Sequence, residues 1–231
     1  MNYSDTTIVI PTLNEEKNID EVLKMLSSLY SGISIIVADD GSRDKTQDII
    51  KSYHKKNKKI VLLNRSKELI HGLTASVVDA AKKVKTKYIV VMDGDMQHPP
   101  EKVKDIVEKL RQNNDIVVGV REKVHFGSFF RLLMSKIAII LGQLRLLFRG
   151  IICHDVVSGF FGVKTVLFQN KIRKFERKFE KEGYKVLFDL LKLVNRKTKI
   201  KNIFYTFGDR KEGSSKINKK HVLIYFKSLF K

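Results

Sequence analysis

The chain has 231 residues, 43% of them hydrophobic, enough to build a real core in one large or two small domains. A single cysteine, Cys153, excludes an internal disulfide and a zinc-finger framework. The formal net charge of +20 is unevenly placed: residues 164–231 hold 20 Lys/Arg against 6 Asp/Glu, a basic face suited to phosphates on nucleic acid, anionic lipid or a soluble ligand, or merely to solvent.

No basic segment followed by an apolar one precedes the first strand, so a cytoplasmic location is expected. Residues 6–10 are a β-branched strand halted by Pro11, and Ile19, Val22, Leu23 and Leu26 recur at helical spacing after it. The plan repeats with a strand at 33–38, an acceptor-rich turn at 39–44 and a helix at 46–53. A strand at 59–63 and a helix at 74–83 follow. The run Tyr88-Ile89-Val90-Val91-Met92 is a buried parallel strand ending in Asp93-Gly94-Asp95, after which Pro99-Pro100 opens a helix marked by Val103, Ile106, Val107 and Leu110. Residues 115–119 are the next strand. This alternation implies right-handed crossovers and a mostly parallel α/β sheet with helices on both faces.

Asp93 and Asp95 therefore sit at a strand's C-terminal end, where open α/β sheets bind ligands. Two adjacent carboxylates favour a divalent cation, and oxygen donors suit magnesium or manganese rather than zinc. Asp-Gly-Asp is also a common turn sequence.

Residues 126–152 break the alternation with a crowd of Phe, Leu and Ile that also carries Arg131, Lys136, Arg145 and Arg149. The longest stretch without a charge, 137–144, is too short for the roughly 20 apolar residues of a membrane span. Two readings remain: an amphipathic helix or helix pair in a membrane interface, or packing against the sheet. Residues 156–163 look strand-like. A basic helical region with Val186, Leu187, Leu190, Leu191 and Val194 as its stripe comes next, then a strand at 199–205. Residues 207–231 form a basic polar loop and a last helix.

Several stretches together resemble the inverting, GT-A fold glycosyltransferases of family 2, and within it the branch acting on dolichyl and other polyprenyl phosphates. They are Pro11-Thr12-Leu13-Asn14-Glu15, Ala38-Asp39-Asp40-Gly41-Ser42, Met92-Asp93-Gly94-Asp95-Met96-Gln97-His98-Pro99-Pro100-Glu101, Val118-Gly119-Val120-Arg121, Ser158-Gly159-Phe160-Phe161-Gly162 and the loop from Arg210 to Lys216. The resemblance spans nearly the whole chain and implies a single domain over residues 1–231. It implies that Pro11, Leu13 and Glu15 contact the nucleotide of a nucleotide-sugar donor (GDP-mannose or a UDP-sugar), and that Asp39 or Asp40 reads its base. Asp93, Gly94 and Asp95 become the metal and diphosphate site, with Gln97 beside the donor and Mg2+ or Mn2+ as cofactor. Arg210 and Lys216 clamp the phosphates from the other side. Arg121, Arg131 and Ser135 match acceptor-phosphate positions, Asp155 a catalytic base or positioning group, and His98 a structural one. Thr74 stands where the family usually has a second glycine, which puts a close approach of residues 71–75 to the donor in question.

The expected function is metal-dependent transfer of a hexose to a polyprenyl phosphate at the inner face of the cell membrane, with peripheral attachment. One alternative is a family 2 enzyme acting on a polysaccharide or glycan. Another is a nucleic-acid-binding protein or nucleotidyltransferase, although interleaved aromatic and basic motifs are missing and no nucleic-acid partner is expected.

Overall fold

The computed structural model describes the backbone of residues 1–124, 129–208 and 219–230, and within these all side chains but those of 123–124, 129–135 and 219–222. Seven strands form one sheet: β1 (Thr6–Thr12), β2 (Ser34–Asp39), β3 (Ile60–Asn64), β4 (Tyr88–Val91), β5 (Ile116–Val124), β6 (Phe161–Lys164) and β7 (Ile200–Phe207), in the order β3-β2-β1-β4-β6-β5-β7. The helices are α1 (Ile19–Leu29), α2 (Thr46–Lys56), α3 (Leu73–Lys83), α4 (Val103–Arg111), α5 (Phe129–Leu147), α6 (Thr165–Phe175), α7 (Val186–Leu193) and α8 (Lys219–Leu229).

Alternation along the strands divides the core into two layers. Ile8, Ile10, Ile35, Val37, Val90 and Val117 face the side covered by α1, α2 and α4, whereas Val9, Ile89, Val91, Ile116, Val118 and Phe161 face α3, α5, α6 and α7. β1 and β4, buried on both faces, read as continuous apolar runs, as central strands do.

The elements lie close to expectation, with three differences. First, β1 is not halted at Pro11 but runs on to Thr12, paired with Asp39 of β2. Val9 accepts from Met92 N–H on the β4 side, so by alternation Pro11 also faces β4, whose ladder has ended at Val9–Val91. Its missing N–H therefore costs no ladder bond. Second, β6 runs antiparallel between β4 and β5 and begins only at Phe161; residues 155–158 are a turn closed by Ser158 N–H to Asp155 O at 3.2 Å. A short strand buried on both faces carries no residue pattern that tells its direction.

Third, within the 126–152 segment residues 129–147 form one helix, α5, which packs one side on the core and leaves another exposed. Ala138, Ile139, Leu141 and Leu146 pack on the core. Ile137, Ile140, Leu144 and Leu147, three or four residues apart, form an exposed stripe that Phe148 extends just past the helix end. Tyr225 O–H donates to Ala138 O at 2.6 Å, and Arg145 Nε to Leu229 O at 2.9 Å. A buried Lys192–Asp189–Ser228 knot fixes α8 to α7. Among the described residues no helix is long and apolar enough to cross a membrane.

Candidate active site

Because β1, β2 and β4 are parallel, Pro11–Leu13, Asp39–Asp40 and Asp93–Asp95 all emerge at one sheet edge. The antiparallel β6 begins there, and β5 and β7 end there, Arg121 paired with Tyr205. The first two loops clasp each other. Asn14 N–H donates to Ser42 Oγ, Glu15 N–H to Thr46 Oγ1, Glu16 N–H to Asp44 Oδ2 and Arg43 N–H to Asn14 Oδ1, at 2.8–3.1 Å. Glu15 is buried and accepts from Asn18 Nδ2 at 2.9 Å. Pro11 and Leu13 are half-buried on the same lip.

The two aspartates of the next turn differ. Asp39 is fully buried and takes five donors: Thr12 Oγ1, Gly41 N–H, Ser42 N–H, Ser42 Oγ and Gln47 Nε2. A carboxylate offers about four lone-pair positions, so Asp39 is taken up by its own turn. Asp40 accepts from Gly72 N–H at 2.7 Å, from His71 at 3.1 Å and from the buried Arg65. Burial pushes its carboxyl above the ordinary range, against the Gly72 N–H and the Arg65 charge.

β4 delivers the carboxylate pair. Asp93 is half-buried, Gly94 and Asp95 buried, and Met96 takes a left-handed backbone at φ 65 to turn the chain toward Gln97. Asp93 N–H donates to His98 Nδ1 at 2.9 Å, and the ring stacks on Phe160 at 5.2 Å. Burial pushes His98 down to about 4, so the ring is neutral, a structural group as expected and not a metal ligand through Nδ1. Gly159 abuts the same place: a Cβ there would stand 3.1 Å from Asp93 Oδ2 and from His98 Cε1. Gln97 N–H donates to Asp95 Oδ1 at 3.2 Å, and Gln97 pairs twice with Gly208 at the end of β7.

The donors suit a hard divalent cation, since Asp93 and Asp95 offer oxygen and the neighbouring imidazole is turned to a backbone N–H. Among the described residues no group of three or more His, Cys, Asp or Glu could hold a metal. The pair fits an ion that takes its remaining oxygens from water and a ligand's phosphates, the habit of Mg2+.

On the other flank, the β5–β7 ladder slips between Arg121 and Lys123, a bulge of the kind that re-aims a side chain. Arg121 makes a two-pronged pair with Asp155, Nε to Oδ2 at 2.8 Å and Nη2 to Oδ1 at 3.1 Å, and lies 5.6 Å from the Phe207 ring centroid. Burial pulls the Arg121 pKa down but Asp155 outweighs it, leaving a net rise. Two of the sequence-predicted residues thus hold each other. Arg131 and Ser135 stand on α5 with their side chains outside the described residues, and Arg210 and Lys216 lie outside the described residues altogether.

Two features were not anticipated. Lys185, half-buried just ahead of α7, donates its ammonium to Val157 O at 2.8 Å. Burial and the Arg121 charge push it down to about 7, while Asp155 and Asp93 pull it back. One lysine among 45 basic residues gives no sequence signal. The other is the use of residues 72–75: Thr74 and Ala75 N–H donate to Gly183 O and Lys181 O, so this loop approaches residues 181–183. Gly72, at φ +147, is the glycine that the approach requires.

With this geometry in place, the sequence profile of glycosyl transferase family 2 matches residues 7–171. A dolichol-phosphate mannosyltransferase of Pyrococcus furiosus is 31% identical over 97% of this chain, which spans 62% of that protein's length. An uncharacterised protein of Methanocaldococcus jannaschii is 32% identical, with 96% of each chain covered. Among solved structures, glucosyl-3-phosphoglycerate synthase from Mycobacterium tuberculosis, in complex with Mn2+, UDP-glucose and glycerol 3-phosphate, superposes with a TM-score of 0.58 at 17% identity, over 90% of this chain and 73% of the other. The mostly parallel seven-stranded sheet, the carboxylates at its edge and the profile match agree: the chain belongs to glycosyl transferase family 2.

Proposed function

We propose that the protein transfers a hexose, mannose or glucose, from a GDP- or UDP-sugar to a dolichyl-type polyprenyl phosphate, with inversion, while resting on a membrane surface. The observation that carries this reading is the pairing of two functions on one edge. A carboxylate turn suited to a metal-diphosphate and the Arg121–Asp155 pair meet at one loop, since Gly159 abuts Asp93 and Asp155, four residues before it, holds Arg121, and α5, which follows Arg121 in the chain, bears an exposed apolar stripe. The kinship with the Pyrococcus furiosus dolichol-phosphate mannosyltransferase supports the same acceptor.

On the donor side, Pro11, Leu13 and Glu15 border the nucleotide. Asp40, with three donors where Asp39 has five, has the room to accept a ring N–H of the base. Asp93 and Asp95, with Gln97 beside them, would hold Mg2+ or Mn2+, which when bound supplies Lewis-acid stabilisation to the departing nucleoside diphosphate. Arg210 and Lys216 are assigned to the same phosphates.

On the acceptor side, Arg121, Arg131 and Ser135 hold the lipid phosphate, Arg because its fork matches phosphate oxygens. A phosphate monoester has a second pKa of about 6, so it arrives as an anion and requires no strong general base. Its oxygen lone pair forms the new bond to the anomeric carbon as the bond to the nucleoside diphosphate breaks, and that electron pair leaves with the diphosphate. Asp155, with both oxygens on Arg121, keeps the guanidinium aimed.

GDP-mannose or UDP-glucose with Mn2+ should raise the melting temperature by mass action, and labelled hexose should appear on farnesyl phosphate but not on farnesol. Equal transfer to a glycan acceptor without any lipid phosphate would refute the reading.

Membrane attachment has its own test. Lys136 and Arg149 are exposed at either end of the stripe, so it should bind anionic vesicles through apolar insertion and basic contacts. Introducing Ile140→Glu and Leu144→Glu together should weaken sedimentation with phosphatidylglycerol vesicles by about tenfold or more. Transfer to the soluble farnesyl phosphate should be unaffected.

A further inference from the structure

The segment before α7 is fixed with unusual thoroughness. α3 gives two of its first N–H groups, which a helix N-terminus would otherwise offer to an anion, to Gly183 O and Lys181 O at 3.0 and 3.1 Å. Glu180 N–H is held by Asp189 Oδ2 at 2.9 Å. Gly72 lets the backbone at 181–182 in so closely that a Cβ would stand 2.5 Å from Lys181 O. What this clasp delivers is Lys185, with its ammonium 4.3 Å from the Tyr184 ring centroid and 2.8 Å from Val157 O.

An ammonium has three N–H donors and no acceptor, and the carbonyl uses one. A half-buried lysine loses hydration that a single bond to a neutral carbonyl does not return. That carbonyl belongs to Val157, two residues after the Asp155 that holds Arg121, so the ammonium stands by this pair, and the charges of Arg121, Asp155 and Asp93 act on it. The Arg121 fork is closed on Asp155, so a phosphate arriving beside that pair would share a guanidinium whose charge Asp155 already meets, and a further cation would hold it.

We propose that Lys185 supplies that cation: its ammonium donates to a non-bridging oxygen of the acceptor's phosphate beside Arg121. This rests on the polyprenyl-phosphate reading and adds a residue to it. A compact charge with rotatable donors suits an oxygen that must stay held as its neighbour forms the glycosidic bond, while Arg121 fixes orientation.

The test is calorimetric titration of the full chain with farnesyl phosphate and with farnesol, and separately with GDP and UDP in the presence of Mn2+. Lys185→Met should bind farnesyl phosphate roughly ten- to hundredfold more weakly, the loss of one bond to a charged group, with farnesol and nucleotide affinities unchanged. Lys185→Gln keeps an N–H for Val157 O but no charge, and it should fail alongside the methionine variant. Wild-type phosphate affinity in either variant, or an equal loss of nucleotide affinity, overturns the assignment while leaving the acceptor reading standing. If the wild-type chain itself does not prefer farnesyl phosphate to farnesol, the acceptor reading falls and Lys185 falls with it.

Discussion

Asp95→Ala should reduce hexose transfer by about a thousandfold, the scale lost with a principal charge-stabilising element of an active site, without unfolding the protein. Asp95 is 3% exposed, stands two residues from the like-charged Asp93, and lies beyond the end of β4 rather than within it. Burying a carboxylate beside another carboxylate costs stability, so truncation should change the unfolding free energy by no more than about 1 kcal/mol in either direction. The decisive readout is the metal dependence of binding. In the wild type, Mn2+ should strengthen the stabilisation by GDP or UDP, which at a hundredfold excess over Kd amounts to about 2.7 kcal/mol. In Asp95→Ala the nucleotide shift should be weaker and the same with or without Mn2+. Asp93→Ala should show a similar loss of transfer, though its backbone N–H still holds His98. A variant at Asp95 that turned over normally would leave the edge carboxylates as a turn and nothing more.

The part of this edge proposed for the donor was readable because its residues are local. Pro11 to Glu15, Asp39-Asp40 and Asp93-Gly94-Asp95 each sit within a few residues of a strand end, and the strands announce themselves by β-branched runs, so knowing the sheet places them. The part proposed for the acceptor was less legible because it depends on long-range pairing. That Arg121 meets Asp155 follows from a bulge in β5 and a turn before β6, neither of which has a sequence signature. Lys185 is the extreme case: its position is set by Gly72, more than a hundred residues away, whose φ and missing Cβ matter only once residues 181–183 arrive. The 126–152 segment allowed membrane or core; α5 packs Ala138, Ile139, Leu141 and Leu146 on the core and leaves Ile137, Ile140, Leu144 and Leu147 exposed. A hydrophobic crowd carries two overlapping stripes, and composition cannot say which one faces the sheet.

Arg121→Met is expected to destabilise the fold by about 3–5 kcal/mol, because it leaves Asp155, whose side chain is 4% exposed, as an uncompensated buried charge. Adding Asp155→Leu should restore most of that loss in urea unfolding, since an apolar pair of similar volume often replaces a buried ion pair without penalty. Transfer is where the two possible roles part. If the pair only latches residues 153–160 onto β5, the double variant should regain activity along with stability. If Arg121 grips the acceptor phosphate, the double variant should be stable and still lose transfer by at least about a hundredfold. Asp155→Asn then separates positioning from proton transfer. As a general base, Asp155 would carry about 10²- to 10⁴-fold of the rate and impose its own limb on the pH profile. As the partner that aims Arg121, it should lose no more than about tenfold in kcat when the amide keeps one acceptor oxygen on the guanidinium, and it should leave the pH profile unchanged. The second outcome is expected, because both carboxylate oxygens already point at Arg121, leaving the acceptor's own phosphate charge to make the attack.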